Sequence, residues 1–256
     1  MSCGPWRLDQ ACISGVRRTA SAFSFYCSRL DKPVRGTHVA KLLAGDISLA
    51  QRQAFERQAA ISLQTAHSSG ASVSGGFATL VDCSLETPPY WLVYPRLSGI
   101  PCDVWAAGWS QAPPRRVWLH IGHQLLRALQ VLHELGYAHL NLGLEHLLID
   151  RDERAVLLGL GSCRPVGSKI CEQSLSDGVS APELWCSEAE VSSAADIYSA
   201  AYLIDDLSGG RFAGSPIWQL MLSENPESRP TASELGELFD CYLKELHAFQ
   251  SQTRAA

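Results

Sequence analysis

The sequence has no run of 18 apolar residues, so nothing in it reads as a membrane-spanning helix. Its nine cysteines include no CxxC pair. A disulfide framework and a zinc site are therefore not expected, and free thiols in a reducing compartment are. Basic residues are scattered, with Arg17–Arg18 and Arg115–Arg116 as the doublets, and the net charge is −5. That leaves no patch for a nucleic-acid backbone or a polybasic membrane surface, and the charges read as solvated face. No Lys/Arg-flanked apolar core opens the chain, and no internal repeat stands out. These absences lead to the expectation of a cytoplasmic protein with no membrane and no nucleic-acid partner.

What is present suits a globular protein. A chain of 256 residues with 46% hydrophobic content can bury a large core. FSFYCSRL at 23–30 alternates like a strand, DKPVRG supplies a turn, and HVAKLL at 38–43 reads as a second strand. A helix is expected from Ser48 to about Thr65, with Leu49, Phe55, Ile61 and Leu63 spaced for partial burial. Residues 68–76, a run of Ser, Gly and Ala, read as a flexible connection. FATLVDC at 77–83 and YWLVYPRL at 90–97 read as a strand pair. Beyond Gly99 the character is helical. Trp118, Ile121, Leu125, Leu129 and Leu132 form the stripe of a buried helix over 116–135, started by Pro113–Pro114. Two more helices are expected over 194–207 and 231–246, the second opened by a capping box from Thr231 to Glu234.

Six segments carry a family likeness, in order: HVAKLL at 38–43, YWLVYPRLSG at 90–99, LHELGYAHLNLGLEHLLID at 132–150, APEL at 181–184, ADIYSAAYLI at 195–204 and NPESRPTASEL at 225–235. They resemble the protein-kinase VAxK strand, hinge, catalytic loop, APE end, following helix and closing RP segment. The resemblance covers roughly residues 6–245. It implies an α+β, bilobal protein-kinase-like fold in a single domain. A small antiparallel β N-lobe with one helix would occupy 1–97, a mainly helical C-lobe 98–248, and a C-terminal tail 249–256. The eighteen residues 208–225 stand where the family has several times that span, so much of the usual αG region is expected to be missing. There SGGRFAGSP reads as a loop and IWQLML as a short helix at most.

Phosphoryl transfer in this family is mostly positioning and charge neutralisation around Mg-ATP. By the same resemblance, the positions that should do that work are degenerate. The catalytic base is Asn141, whose amide has no usable basicity near neutral pH. The assisting lysine is Gly143, and one metal ligand is His146, a poor match for hard Mg²⁺. His146 fits either a hydrogen-bonded histidine or a softer ion such as zinc or manganese. The DFG aspartate is Gly159, Leu140 stands where an arginine pairs with a phosphorylated segment, and the phosphate loop near 19–24 (TASAFS) has no glycine. Lys41 aligns with the phosphate-pairing lysine; the alternative is an ordinary exposed strand lysine. Its helix partner aligns with Gln58 rather than Glu56. Val39 and Tyr94 narrow the implied nucleotide pocket, Tyr94 at the gatekeeper-like position.

The scaffold positions are kept: His139 packs the catalytic loop, Asp196 holds its backbone, and Glu183 pairs with Arg229. Trp105 and Trp109 fit either exposed anchors or packing under the hinge. The resulting expectation is a catalytically inactive kinase homologue, a pseudokinase. It would act as a scaffold or allosteric partner of an active kinase or signalling complex. No metal and no cofactor are expected; the alternative is an ATP-binding switch working without Mg²⁺, or an unorthodox serine/threonine kinase with weak transfer.

Overall fold

The computed structural model describes residues 2–9, 22–31, 34, 36–43, 47–66, 73–169, 179–186 and 189–255. They fall into two compact units, 1–98 and 99–256. The architecture is mixed α+β.

The first unit is built on antiparallel strands β1 (Ser2–Cys3), β2 (Trp6–Leu8), β3 (Ala22–Arg29) and β4 (His38–Leu43). Helix α1 (Leu49–Thr65) follows, then β5 (Val73–Ser74), β6 (Phe77–Ala78), β7 (Asp82–Ser84) and β8 (Trp91–Pro95). Six of these strands form one sheet in the order β1-β2-β3-β4-β8-β7. Strand side chains alternate between faces, and β4 and β8 use both. Ala40, Leu42, Trp91 and Val93 join Cys3, Trp6, Leu8 and Cys27 on one side. Leu43 and Leu92 join Ala22, Leu80 and the α1 residues Phe55 and Ala59 on the other. That alternation puts Val39, Lys41 and Tyr94 on the helix side, with Val39 opposite Tyr94 and Lys41 opposite Leu92 in register.

Several expectations shift here. Helix α1 buries Phe55 and Ile61, but Leu49 and Leu63 are exposed. Its face is instead completed by small residues, Ala59, Ser62 and Thr65. The start is fixed by a capping box from Ser48 to Gln51. The strand expected over 77–83 divides into β6 and β7. β6 pairs with β5 in a hairpin turned by Gly75 and Gly76, so the connection at 68–76 holds a strand in its described part. The phosphate loop at 19–24 lies outside the described residues up to Ser21; Ala22–Ser24 already belong to β3.

The second unit opens with β9 (Ile100–Pro101) and α2 (Cys102–Ala107), then α3 (Arg115–Glu134). Strands β10 (Tyr137–Ala138), β11 (Leu147–Ile149), β12 (Ala155–Leu157) and β13 (Arg164–Pro165) follow. Helices α4 (Ala194–Ser208), α5 (Pro216–Met221) and α6 (Ala232–Ala255) complete it. All five stripe residues of α3 are buried. Gly122 lets α3 approach its neighbours, because a Cβ there would sit 2.9 Å from Phe239 of α6 and 3.5 Å from Ile204 of α4. β11 pairs with β12 and β9, and β10 with β13, all antiparallel. α4 ends at Gly209 in the left-handed region (φ 67°), where an L-residue would be strained. Helix α6 begins at the predicted capping box, Thr231 N–H donating to Glu234 Oε2 at 2.8 Å. It runs on to Ala255, so 249–255, set apart above as a tail, continue the helix; a helix signal weakens in sequence once the chain turns polar. Where the αG region was expected to be reduced, α5 is six residues long.

Among the described residues no helix is long and apolar enough to cross a membrane, no cluster of three metal-ligating side chains occurs, and none of the seven described cysteines is in a disulfide.

Candidate functional site

The residues singled out in sequence fall into two groups, one in each unit.

In the first unit, Lys41 reaches from β4 to α1. Its Nζ donates to Gln58 Oε1 at 2.6 Å, Gln58 Nε2 donates to Tyr94 Oη at 3.1 Å, and that hydroxyl lies 3.2 Å from Ser62 Oγ. The chain of contacts is neutral after the lysine. Glu56, the acidic choice on α1, is held by Arg52 at 2.8 Å, one turn earlier. Two residues of a helix with 3.6 per turn point about 200° apart, so Gln58 looks at the sheet while Glu56 looks away from it along the helix surface. Burial disfavours the ammonium and brings the Lys41 pKa down to about 8. Burial also pushes the Tyr94 phenol up, against the hydrogen bonds from Ser62 and Gln58. The Tyr94 hydroxyl is thus committed to α1, and Val39 sits opposite it on β4.

In the second unit, Asp196 organises the loop after β10. This wholly buried carboxylate accepts from the amides of His139 (2.7 Å) and Leu140 (2.8 Å) and from His133 Nε2 (2.9 Å). Burial works to raise its pKa, but the His133 hydrogen bond and the neighbouring imidazoles outweigh it and hold the carboxyl below the usual range. Leu140 sits at φ 60°, an uncommon conformation for a branched side chain, and its amide is one of those Asp196 holds. His139 is fully buried. Its Nε2–H donates to Leu158 O at 2.8 Å, and its Nδ1 has no partner. Burial favours the neutral ring and lowers its pKa.

Asn141, Gly143, His146 and Gly159 lie close by. His146 Nδ1–H donates to Asn141 O at 2.8 Å, which leaves the Nε2 lone pair free in the neutral ring. Its ring centroid is 6.2 Å from that of His139. Gly159 has φ 88°, and a Cβ there would meet His146 Cδ2 at 3.3 Å and His139 at 3.5 Å. A side chain at 159 would be strained and crowded by the two imidazoles. At Gly143 a Cβ would meet the Glu145 carboxylate, with Oε1 2.8 Å away. Glu145 therefore folds over the glycine, and its Oε1 lies 4.0 Å from His146 Nδ1. The donors gathered here are two imidazoles and one partly exposed carboxylate, a set that offers Mg²⁺ little.

Glu183 and Arg229 form a bidentate pair at 2.6 and 2.8 Å, the arginine side chain fully buried. Arg229 also donates to Ser223 O and Ala194 O and stacks over Tyr198, with 5.0 Å to the ring centroid. Trp105 and Trp109 stack edge-on at 5.5 Å, Trp105 half-buried and Trp109 exposed. Sequence reasoning set His133 in the family register of the loop but did not assign it to Asp196, to which it donates across 63 residues of chain. It also missed a cavity of about 280 Å³ lined by Arg115, Trp118, Arg211, Phe212 and Tyr242, formed by chain segments far apart in sequence.

No family model matches the chain. A segment of 85 residues is 36% identical to maternal embryonic leucine zipper kinase of Danio rerio, covering 32% of this chain and 13% of that protein. The same kinase from Xenopus laevis matches at 36% over 91 residues, 34% of this chain and 14% of that protein. The chain thus aligns with about an eighth to a seventh of the length of these relatives. Along about a third of its length, this protein is similar to a protein kinase.

Proposed function

We propose that this protein is a kinase-like domain that transfers no phosphate and works by binding a protein partner, as a scaffold or allosteric subunit. The observation that carries the reading is the loop around Asn141, His146 and Gly159. Its backbone is held firmly by Asp196, while the side chains offered to a nucleotide-metal complex are an amide, an imidazole and none. Metal-assisted phosphoryl transfer in this family needs a carboxylate that ties Mg²⁺ to the phosphates. Of the two carboxylates placed at this loop, Asp196 is spent on the backbone amides and Glu145 is folded over Gly143.

The second reading is a nucleotide-binding switch, favoured by Lys41. Its position on β4 and its bond to α1 keep the strand-to-helix link, with Gln58 replacing a charged partner. One experiment separates the two: the melting temperature of the protein with millimolar ATP, alone and with Mg²⁺ or Mn²⁺, followed by a radiolabelled transfer assay. A ligand at a hundredfold excess over its dissociation constant stabilises the folded state by about 2.7 kcal/mol. The proposal expects no shift and no transfer. A shift without transfer selects the switch, and metal-dependent transfer overturns both.

A further inference from the structure

The cavity of about 280 Å³ in the second unit is walled by cations and rings. Arg115 and Trp118 come from α3, one turn apart and so on one face. Arg211 and Phe212 come from the short loop after α4, and Tyr242 from α6. No acidic side chain is among the described residues that line it. The loop wall is firmly built. Ser208 Oγ accepts from the Arg211 and Phe212 amides at 2.8 and 2.9 Å, and Asp205 Oδ1 accepts from the Ala213 amide at 2.7 Å. Arg211 ties the loop to the segment before α3, its Nη2 donating to Pro113 O at 2.6 Å. Phe212 is thereby held inside, its ring 6.1 Å from that of Trp118 and 5.9 Å from that of Phe239.

Two donors at this cavity lack an acceptor. The buried Trp118 indole N–H finds none among the described residues, a rare state for a buried polar group. Arg115 forms no ion pair among the described residues, whereas its neighbour Arg116 holds Glu153 at 3.4 Å. Helix α3 also opens without a side-chain cap and without an acidic residue in its first turn, so its N-terminus adds positive potential beside Arg115. We propose that this cavity binds a small carboxylate with an apolar, ring-sized body. Arg115 takes the carboxylate in a charge-assisted pair, the Trp118 N–H donates to the same group, and Phe212 and Tyr242 enclose the body.

Size and charge favour a monocarboxylate over the alternatives. A volume of about 280 Å³ lies just under the roughly 300–1,000 Å³ of ordinary ligand sites, room for one ring and a short arm but not for a nucleotide. A phosphate dianion asks for more donors than one free guanidinium supplies, since Arg211 spends its Nε on Ser208 O and its Nη2 on Pro113 O. A cationic ligand would meet two guanidinium groups, and a neutral ring would leave Arg115 unanswered. The site lies within the second unit and does not depend on nucleotide binding in the first.

The test is titration of the isotope-labelled full chain with phenylacetate, its neutral amide phenylacetamide, and acetate, following the assigned tryptophan indole N–H resonances by nuclear magnetic resonance. Phenylacetate should move the Trp118 N–H to lower field and saturate with a dissociation constant on the order of 1 mM or tighter. Phenylacetamide and acetate should each bind at least tenfold more weakly. Arg115→Leu, a change at an exposed side chain, should bring phenylacetate down to the affinity of the amide and leave the amide unchanged. Equal affinity for acid and amide overturns the carboxylate site. Acetate binding as tightly as phenylacetate overturns the apolar body and leaves a surface anion contact only. Saturation that leaves the Trp118 N–H unmoved, or no response at about ten times the expected dissociation constant, overturns the site altogether. The comparison of acid with amide is read on the unsubstituted chain, so it stands even where Arg115→Leu fails to fold.

Discussion

Asp196→Asn is the perturbation that tests the second unit most sharply. The change is nearly isosteric, so no cavity opens and the cost is electrostatic. Asp196 Oδ2 accepts from the His139 amide and from His133, and Oδ1 from the Leu140 amide. Asparagine keeps one acceptor oxygen and puts an NH₂ group where the other stood. If the oxygen faces Leu140, the NH₂ meets the His139 N–H; if it faces His139, the NH₂ meets the Leu140 N–H. His133 can turn its lone pair to the new donor, but a backbone amide cannot. One buried amide is therefore stranded in either orientation, at about 1–3 kcal/mol, and hydrogen bonds to a charged acceptor are exchanged for weaker ones. Leu140 at φ 60° adds to the cost, since a residue in that region holds its place only while its surroundings insist. The expected total is about 3 kcal/mol, or a fall in melting temperature of roughly 6–12 °C for a unit of this size. Urea unfolding followed by circular dichroism measures it, and hydrogen exchange at the His139 and Leu140 amides reports the local loss. The pH dependence supplies an independent check. A carboxyl whose folded pKa is depressed contributes stability above its unfolded value and loses it as pH falls through the folded one. The gap between the two proteins should therefore close as the pH drops below about 4. A loss under 1 kcal/mol at pH 7, with unchanged exchange at both amides, would refute the argument that Asp196 holds this loop.

Glu183→Ala leaves the fully buried Arg229 guanidinium without its carboxylate, and about 3–5 kcal/mol of stability should be lost in urea titrations. Gly159→Asp restores a carboxylate by formula but asks an L-residue to sit at φ 88° against His139 and His146; it should lower stability by about 1–2 kcal/mol and yield no phosphotransfer in a radiolabel assay. His139 has a lowered folded pKa, so the unfolded chain binds its proton first. The contribution of His139 to stability should be flat above about pH 6.5 and fall as the pH drops from there, and His139→Gln should flatten that fall in chemical denaturation series. For Lys41 the unfolded chain also holds the proton longer, between about pH 8 and 10.5, so stability should rise with pH across that window. Lys41→Met should abolish the rise in denaturation midpoints measured from pH 7.5 to 10.

The sequence by itself determined the elements whose signals are local. The α3 stripe, the capping box at Thr231 and the alternation in β3 and β4 depend on spacing alone, and spacing is written in the chain. The order of the six kinase-like segments likewise singled out Asn141, His146, Gly159, Glu183 and Arg229 before any geometry was known. Only the tertiary structure decided which atoms meet. It gave Lys41 the bond to Gln58 that the family register had named, and it gave Glu56 to Arg52, a pairing the register does not contain. It brought in His133 as a third donor to Asp196, a contact between α3 and α4 across 63 residues of chain. It folded the Glu145 carboxylate over Gly143 and gave Gly159 a backbone conformation hostile to any side chain. It also exposed Leu49 and Leu63, which hydropathy had counted toward the core. The reason is the same in each case: a residue's spacing fixes the face it occupies, but what stands opposite that face is set by packing between segments that the linear pattern does not relate.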